Sequence, residues 1–390
     1  MAITLSRLCD GCEAKYNMHL IAGKKGMENT VRWVHMVEDS EVPDFLHGNE
    51  LVFTTGIGHI SGADRLLTFV RNLKEHNAVG VVVNLGPYIR DIPDKVIGYC
   101  EQNDFPLFTL PWKVHIIDIT FDFCTRIIEN EKTEVSLAEA FRSLITDKST
   151  LGENIGVFER AGFNLSRPFR VIACKLSQNG IYATERIEQN NRIKLWRILT
   201  QSDSAATMFI HGGILTVIRQ NCSEVQIEDV RMQLKRSCEK ANIGFVLGVS
   251  DEDYGYATVA TLFCEAAAAL RTGECDGSEL VMYRNIGVDK LLCAIGDKRI
   301  IDSYIDGVLG KITRYDELNH TEYLTLLRLY LKNGCSVMAV SDEMGVHRNT
   351  VNYQIRQIKK IFAIEFDEQT KMNLNLAFRI LLLFKGEDQK

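Results

Sequence analysis

A run of basic and amide side chains near the carboxyl end carries the clearest chemistry in this sequence. Residues 347–360 include four Lys or Arg side chains and no Asp or Glu, although the chain of 390 residues has a formal net charge of −6. Local positive charge on an acidic background is what phosphate binding needs. Arginine can pair bidentately with guanine, and the asparagine amide matches adenine. The candidate DNA-contacting residues are His347, Arg348, Asn349, Thr350, Asn352, Tyr353, Arg356, Lys359 and Lys360.

The apolar residues of the same segment predict two short helices joined by a tight turn. Val340 and Met344 are apolar in the first helix, and Gly345 takes a left-handed turn conformation without strain. Val346 is expected to pack beneath the turn. A buried stripe at helical spacing then continues through Val351, Ile355, Ile358 and Phe362. The pattern predicts a helix-turn-helix whose second helix enters the major groove. The alternative is an ordinary helical hairpin with a solvated charged face.

This segment resembles the C-terminal DNA-binding domain of the PucR/CdaR-type bacterial transcription regulators, which control purine and sugar-acid catabolism. Two positions depart from the family pattern. Ser341 replaces the usual Ala, which is also small, and Gln354 replaces the usual Arg, so one contact of the family is not carried over. The matching residues are Met344, Gly345, Val346, His347, Arg348, Asn349, Thr350, Val351 and Tyr353.

The first 128 residues alternate strand-like and helix-like patterns, which predicts βαβ units and a mostly parallel sheet. Residues 80–83, Gly-Val-Val-Val, are apolar at every position, as expected for a strand that is covered on both faces. The predicted strands are Val31–Val37, Leu51–Thr55, Val79–Asn84 and Pro106–Leu110, and the predicted helices are Ala63–His76 and Pro93–Asn103.

Polar or aromatic residues follow each predicted strand, at the sheet edge where open parallel sheets bind their ligands. Hydroxyls, an amide, backbone N–H groups and an aromatic face suit a small, planar, hydrogen-bonding molecule. Gly56-Ile57-Gly58 is not followed by the Lys and Ser or Thr of a phosphate loop. The alternative is that these residues are capping and turn residues. The candidate effector contacts are Glu38, Thr54, Thr55, Gly56, Asn84, Gly86 and Trp112.

Two stretches of this part also resemble the PucR-type family. Residues 31–58 are similar to its N-terminal sensor domain, and residues 105–111, Phe-Pro-Leu-Phe-Thr-Leu-Pro, are similar to the end of that domain. The resemblance implies a domain that senses a purine or a purine-breakdown product.

The middle of the chain predicts a connecting helix and then an α+β domain. Residues 118–146 read as a helix with a charged middle, suited to a dimer seam although its heptads are few. The following strands and helix are predicted at Phe169–Leu176, Met208–Ile210, Ile214–Arg219, Ile243–Val249 and Tyr256–Arg271, an order that resembles a degenerate GGDEF-like domain. Active cyclases hold Mg²⁺ with acidic residues at the central hairpin, whereas residues 211–214 here are His-Gly-Gly-Ile. A non-catalytic packing or dimerisation module is predicted.

The resulting fold class is a multidomain α/β plus α protein. The sequence predicts a mostly parallel α/β sensor at residues 1–128, a helical linker at 129–166, a degenerate GGDEF-like domain at 167–285 and an all-α helix-turn-helix domain at 289–390. In the last domain, amphipathic helices are expected at Asp316–Leu331 and Asp367–Phe384.

Composition predicts a cytoplasmic protein. No apolar run approaches the roughly 18–20 residues that span a bilayer, and the first residues lack a signal-peptide pattern. Eleven cysteines are scattered without a disulfide-like rhythm, which indicates reduced thiols. Cys9 and Cys12 have metal-like spacing, but no second pair accompanies them, so they are read as structural.

These patterns predict a ligand-responsive, DNA-binding transcription regulator that forms a homodimer or higher homo-oligomer on a double-stranded operator. The expected effector is purine-related; no metal, cofactor or membrane partner is expected. The sequence contains no nucleophile elbow, zinc-protease motif, kinase signature or P-loop, so no catalytic residue is assigned. The alternatives are a regulator of sugar-acid or amino-compound catabolism, an enzyme acting on the ligand of the first domain, and a protein–protein adaptor.

Overall fold

The computed structural model describes residues 3–39, 46–57, 62–178, 181–182, 195–196, 198–200 and 205–385. The chain divides into two compact units. One contains residues 1–164 and 186–209, and the other contains residues 165–185 and 210–390.

A five-stranded sheet lies at the centre of the first unit. The elements of this part are β1 (Ile3–Thr4), α1 (Leu5–Leu8), α2 (Cys12–Tyr16), β2 (His19–Ala22), β3 (Thr30–Val31), β4 (Trp33–Met36), β5 (Glu50–Thr54), α3 (Ala63–Glu75), β6 (Gly80–Leu85), α4 (Asp94–Gln102), β7 (Leu107–Pro111), α5 (Ile116–Thr146) and α6 (Leu151–Arg160). The sheet order is β2-β7-β6-β5-β4, in which β4 to β7 are parallel and β2 is antiparallel to β7.

Strand β6 is covered on both faces, as its uninterrupted apolar sequence predicted. Successive side chains of a strand point to opposite faces. Val81 and Val83 therefore pack in one core with α3 and α4, whereas Val82 packs in a second core with Ile119 and Phe123 of α5. The mostly parallel α/β prediction for this part is confirmed.

The edges of this sheet differ from the prediction. The expected single strand at 31–37 is two strands, because Val31 pairs with Ile3 of β1 and only Trp33–Met36 runs parallel to β5. The backbone N–H of Arg32 donates to the carbonyl of Asn49 at the change of partner. Strand β2 was not predicted at all, because four residues are too few to show a period.

The second unit contains a mostly antiparallel sheet and a set of helices. The elements from residue 168 onward are β8 (Pro168–Gln178), β9 (Ile181–Tyr182), β10 (Ala206–His211), β11 (Ile214–Gln220), α7 (Glu224–Ala241), β12 (Ile243–Val249), β13 (Asp253–Tyr254), α8 (Val259–Asp276), β14 (Leu280–Met282), α9 (Asp289–Cys293), α10 (Lys298–Asn319), α11 (Tyr323–Lys332), α12 (Val337–Met344), α13 (Arg348–Phe362) and α14 (Glu368–Lys385). Strands β11 and β12 flank β8 antiparallel, and β14 is parallel to β12.

The prediction of one helix at Asp316–Leu331 is wrong, because the chain turns within this range. Helix α10 ends at Asn319, His320 has a left-handed backbone with φ of 52°, and α11 begins at Tyr323. The carboxylate of Asp316 accepts the backbone N–H groups of Tyr323 and Leu324, at 3.0 and 2.8 Å. These bonds satisfy two of the N–H groups that a helix start leaves without partners.

One arginine joins the middle sheet region to the last helix. Arg379 of α14 donates to both carboxylate oxygens of Asp289 and to those of Asp276, with distances from 2.5 to 3.1 Å. Asp289 is only 2% exposed and also accepts the hydroxyl of Thr272 at 2.9 Å. These hydrogen bonds raise the pKa of Arg379. We call Arg379, Asp276 and Asp289 the arginine clamp.

The cysteine pair near the start of the chain is part of the core. Cys12 is buried, and burial raises the pKa of its thiol to about 11 and that of Cys9 further still. Cys12 belongs to the core beneath the sheet and Cys9 packs against it, which agrees with a structural role. Within the described ranges, no group of three or more His, Cys, Asp or Glu side chains could hold a metal ion. Among the same residues, no helix is long and apolar enough to cross a membrane.

Candidate nucleic-acid interface and effector site

Helices α12 and α13 are joined by the tight turn that the sequence predicted. The hydroxyl of Ser336 accepts the backbone N–H of Ala339 at the start of α12. Gly345 ends α12 with φ of 66°, and the N–H of Val346 donates to the carbonyl of Ser341 at 3.1 Å. A left-handed residue at this position lets the last carbonyls of the helix find donors.

The second helix begins with a capping side chain. The Nδ1 atom of His347 accepts the backbone N–H of Asn349 at 3.2 Å. No acidic residue lies in the first turn of α13, and Lys359 and Lys360 lie in its last turn. The first turn therefore keeps the partial positive charge of its N–H groups for an anion.

Helix α13 is divided into an apolar face and a polar face. Val351, Ile355 and Ile358 are buried with Val340, Leu326 and Tyr330, and Phe362 packs partly against the same core. All nine of the candidate DNA-contacting residues are exposed. The buried face fixes the rotation of the helix, and the exposed one offers an unbroken set of polar groups. Val346 is exposed, so the expectation that it packs beneath the turn is wrong.

Charges near this face leave it positive. Glu343 of α12 is paired with Lys332 at 2.8 Å and accepts the amide of Asn333, and these contacts hold its pKa below the usual range. Lys359 lies over the ring of Phe366, 5.2 Å from the ring centre. The end of α13 also lines an open cavity of about 690 Å³, to which Arg356, Lys359 and Lys360 contribute.

At the carboxyl edge of the five-stranded sheet, four of the candidate effector residues form one hydrogen-bonded cluster. Oε1 of Glu38 accepts the N–H and the hydroxyl of Thr55 at 2.8 and 2.7 Å. Oε2 accepts the hydroxyl of Thr54 and the N–H of Gly56, both at 3.0 Å. Thr54 and Thr55 are buried. One carboxylate thus ties the end of β5 to the segment after β4.

The other three candidates lie at the carboxyl ends of β6 and β7. The amide of buried Asn84 donates to the carbonyls of Leu110 and Pro111, at 3.3 and 3.2 Å. Gly86 lies against the ring of Trp112, so closely that an added methyl group would overlap the ring. Trp112 is 45% exposed. Gly58, the last residue of the glycine pair, lies outside the described residues.

The contacts of Glu38, Thr54, Thr55 and Asn84 are those of the structural alternative, and a ligand contact for them stays a prediction. Sequence reasoning missed Tyr88, which meets Trp112 edge to face with ring centres 6.0 Å apart and is itself exposed. Its only signal is an aromatic residue two positions after Gly86 in the same strand-end loop.

Three family models match the chain in the order that the sequence predicted. The Purine catabolism regulatory protein-like family matches residues 12–127, a GGDEF-like domain matches residues 157–272, and the PucR C-terminal helix-turn-helix domain matches residues 323–380. The chain is thus a three-module helix-turn-helix protein. Two of these modules, at residues 12–127 and 323–380, match models of the PucR family.

Three proteins of Bacillus subtilis (strain 168) are similar to the chain. It is 30% identical to the purine catabolism regulatory protein over 122 residues, which is 31% of this chain and 23% of that protein. It is 23% identical to the proline-responsive transcriptional activator PutR, over 65% of this chain and 62% of that protein. It is 21% identical to the DNA-binding transcriptional activator AdeR, over 66% of this chain and 61% of that protein. The matches therefore span less than two thirds of each relative.

Proposed function

We propose that the protein is a DNA-binding transcription regulator whose first domain binds a small-molecule effector. The observation that carries the DNA-binding part is the polar face of α13. Nine polar and basic side chains are exposed together on a helix whose opposite face is buried, and a glycine turn places that helix after α12. This is the arrangement in which a recognition helix reads the major groove.

We assign the residues of this face by position. Arg348, Asn349 and Asn352 lie in the first turns, where recognition helices contact bases, and Arg356, Lys359 and Lys360 lie farther along, where phosphates are reached. His347, Thr350 and Tyr353 complete the set. The names of all three relatives are those of regulators, which supports regulation over catalysis.

The DNA-binding proposal is tested by selection from random duplexes of about 30 base pairs, long enough for two half-sites one helical turn apart. Affinity for the selected duplex should fall steeply with salt, by a slope of about 3–4 in log K against log salt for each recognition helix, because four cations displace counterions. Arg348→Ala combined with Arg356→Ala should abolish selection.

The matched control removes the same charge from another helix of the same region. Lys311→Ala combined with Arg314→Ala changes two exposed cations of α10 and should leave the selected affinity within about threefold of the parent. If the binding affinity does not depend on salt and is unchanged in the Arg348→Ala, Arg356→Ala double variant, the result would instead support the protein–protein adaptor alternative.

We further propose that the effector binds at the carboxyl edge of the five-stranded sheet, against Trp112. The site combines an exposed aromatic pair, Trp112 and Tyr88, with the backbone of Gly86 and the amide of Asn84. The hydrogen-bonded cluster of Glu38, Thr54, Thr55 and Gly56 lies at the same sheet edge. Stacking on one ring face with hydrogen bonds at its rim suits a planar heterocycle. The named responses of the relatives include both purine catabolism and proline, so a purine-related effector is the first candidate and an amino compound the second.

A thermal-shift screen separates these candidates. Purines, their nucleosides, ureides, sugar acids, proline and other amino acids are each added to the purified protein, and a compound that binds only the folded state raises the midpoint. Trp112→Ala should lose the shift produced by a planar heterocycle. A shift produced only by proline or a sugar acid would overturn the purine assignment and leave DNA binding untouched. Chemically changed ligand after incubation would support the enzyme alternative.

A further inference from the structure

Helix α5 exposes a row of large apolar side chains. Ile117 is 72% exposed, Phe121 is 74% exposed, Ile128 is 49% exposed and Val135 is 52% exposed. The four residues recur at intervals of four and seven positions, with half-buried Cys124 between them. Isolated apolar side chains are normal on a protein surface, but a continuous row marks an interaction site. We call these five residues the α5 stripe.

The stripe is a different face from the one that α5 buries. Ile119, Phe123 and Ile127 of the same helix are buried in the core beneath the sheet. The stripe residues instead follow the 3.5-residue repeat of a coiled-coil seam, with Ile117 and Cys124 at d positions and Phe121, Ile128 and Val135 at a positions. A helix with this repeat packs best against another helix with the same repeat.

We propose that the partner of the α5 stripe is the α5 helix of a second copy of this chain, packed antiparallel. In the register that we infer, Ile117 packs against the partner's Val135 and Cys124 packs against the partner's Ile128. Phe121 lies beside the aliphatic part of the partner's Glu131. Each contact occurs twice, because the two-fold axis passes near Arg126.

Charge complementarity selects this register. In an antiparallel pair, the residues that flank the seam at e positions face one another. Asp118 then faces the partner's Lys132, and the same pair recurs on the other side of the axis. Both side chains are exposed in the single chain, so they are free to reach across. Opposite charges at these positions set orientation more than they add affinity.

The parallel arrangement places like charges together. There, the exposed Glu131 would lie directly opposite its own copy at a d position. Like charges at facing positions are destabilising. The antiparallel pair avoids this contact. The dimer proposal rests on the proposed function and deepens it, because a two-fold dimer supplies two recognition helices. The test of the dimer itself uses no DNA.

The first test is the oligomeric state of the full-length chain by analytical ultracentrifugation across nanomolar to micromolar concentrations. A seam this short predicts a dissociation constant of about micromolar. Ile128→Lys should weaken the dimer about a hundredfold or more, because an apolar residue beside the two-fold axis is replaced by a charge. Thr133→Lys adds the same charge to an exposed position of α5 outside the stripe and should leave the constant unchanged.

A monomeric parent chain overturns the proposal, and so does a dimer that Ile128→Lys leaves intact. The far-UV circular dichroism and melting midpoint of each variant show that the chain has folded. Because no DNA is present, a failure here is separate from a failure of the DNA-binding proposal.

The second test is charge reversal, which addresses orientation. Asp118→Lys places two lysines together at each e–e pair and should weaken the dimer about tenfold, and Lys132→Asp should do the same. The double variant restores opposite charges and should restore the dimer. Failure of that rescue overturns the antiparallel register.

Cross-linking gives an independent answer. In the antiparallel register, Ile128→Cys places a new thiol against the partner's Cys124, so oxidation should give a dimer whose cross-linked peptides join positions 124 and 128. Adding Cys124→Ser should abolish it. A cross-link between two copies of position 128, surviving Cys124→Ser, would show a parallel pair.

Discussion

The imidazole of His347 and the backbone N–H of Asn349 are joined by a hydrogen bond of 3.2 Å at the start of α13. His347 is therefore the capping residue of the helix on which the other DNA-contacting candidates lie. Its Nδ1 atom is engaged by the backbone, which leaves Nε2 as the atom that faces outward for a contact with DNA. The same residue thus supports the interface and belongs to it.

The two roles of His347 are separable by substitution. His347→Ala removes the cap and should lower the free energy of unfolding of the C-terminal region by about 1 kcal/mol, and it should also weaken DNA binding. His347→Asn supplies a better capping side chain and should restore stability. If DNA affinity stays low in the Asn variant, measured by fluorescence anisotropy on the selected duplex, Nε2 contacts DNA. Full recovery of affinity would assign His347 to capping alone.

The Glu38 carboxylate should be a stability determinant of the first domain. Glu38→Gln replaces one acceptor oxygen by an N–H₂ group that faces donors, so about 1–3 kcal/mol of unfolding free energy should be lost in urea denaturation. Glu28→Gln makes the same change at an exposed position and should cost less than about 0.5 kcal/mol. Equal effects of the two variants would show that the cluster contributes no stability.

The packing of the Trp112 ring against Gly86 should affect tryptophan fluorescence. Gly86→Ala forces the indole ring to move, so tryptophan emission should shift to longer wavelength and become more accessible to iodide. Gly98→Ala is the matched control, because Gly98 lies in α4 and its added methyl group has room beside the helix backbone, so the change should stabilise the helix. Subtracting the spectrum of Trp112→Phe isolates this indole. An unchanged spectrum in Gly86→Ala would contradict the described packing.

Removing the arginine of the clamp should be costly. Arg379→Met leaves the buried carboxylate of Asp289 without its cation, and such a loss typically costs about 3–5 kcal/mol. Lys371→Met breaks the exposed pair of Lys371 with Glu368 on the same helix and should cost at most about 1 kcal/mol. Thermal unfolding of the two variants measures the difference. Comparable midpoints would show that Asp289 is solvated or neutral.

The periodicity of apolar residues in the sequence was sufficient to predict most of the regular helices and strands. The βαβ alternation, the strand at Ile243–Val249 and the polar and apolar faces of α13 were all predicted, because each has a burial pattern that repeats along the chain. The turn at Gly345 was predicted for a different reason, since few residues other than glycine adopt its backbone conformation readily.

Features that depend on distant partners were not predicted. Nothing in the sequence near Asp316 shows that its carboxylate accepts N–H groups of the next helix, so the break at His320 was missed. The strand-end polar residues were chosen by type, but their types do not show that Glu38 uses both oxygens on β5. Likewise, the stacking of Trp112 on Gly86 joins residues from two strand ends.

The arginine clamp has a consequence for the cooperativity of folding. Asp276 ends α8, Asp289 begins α9, and Arg379 lies on α14, so the middle sheet region and the helix-turn-helix region share one network of ion pairs around the buried carboxylate of Asp289. Leu292 also packs with Ile380 and Leu383 in a common apolar core. Partial unfolding of either region would leave a charged side chain of the other region without its partner. It would also expose apolar surface there. The two sequence modules should therefore melt in a single calorimetric transition, as one thermodynamic domain.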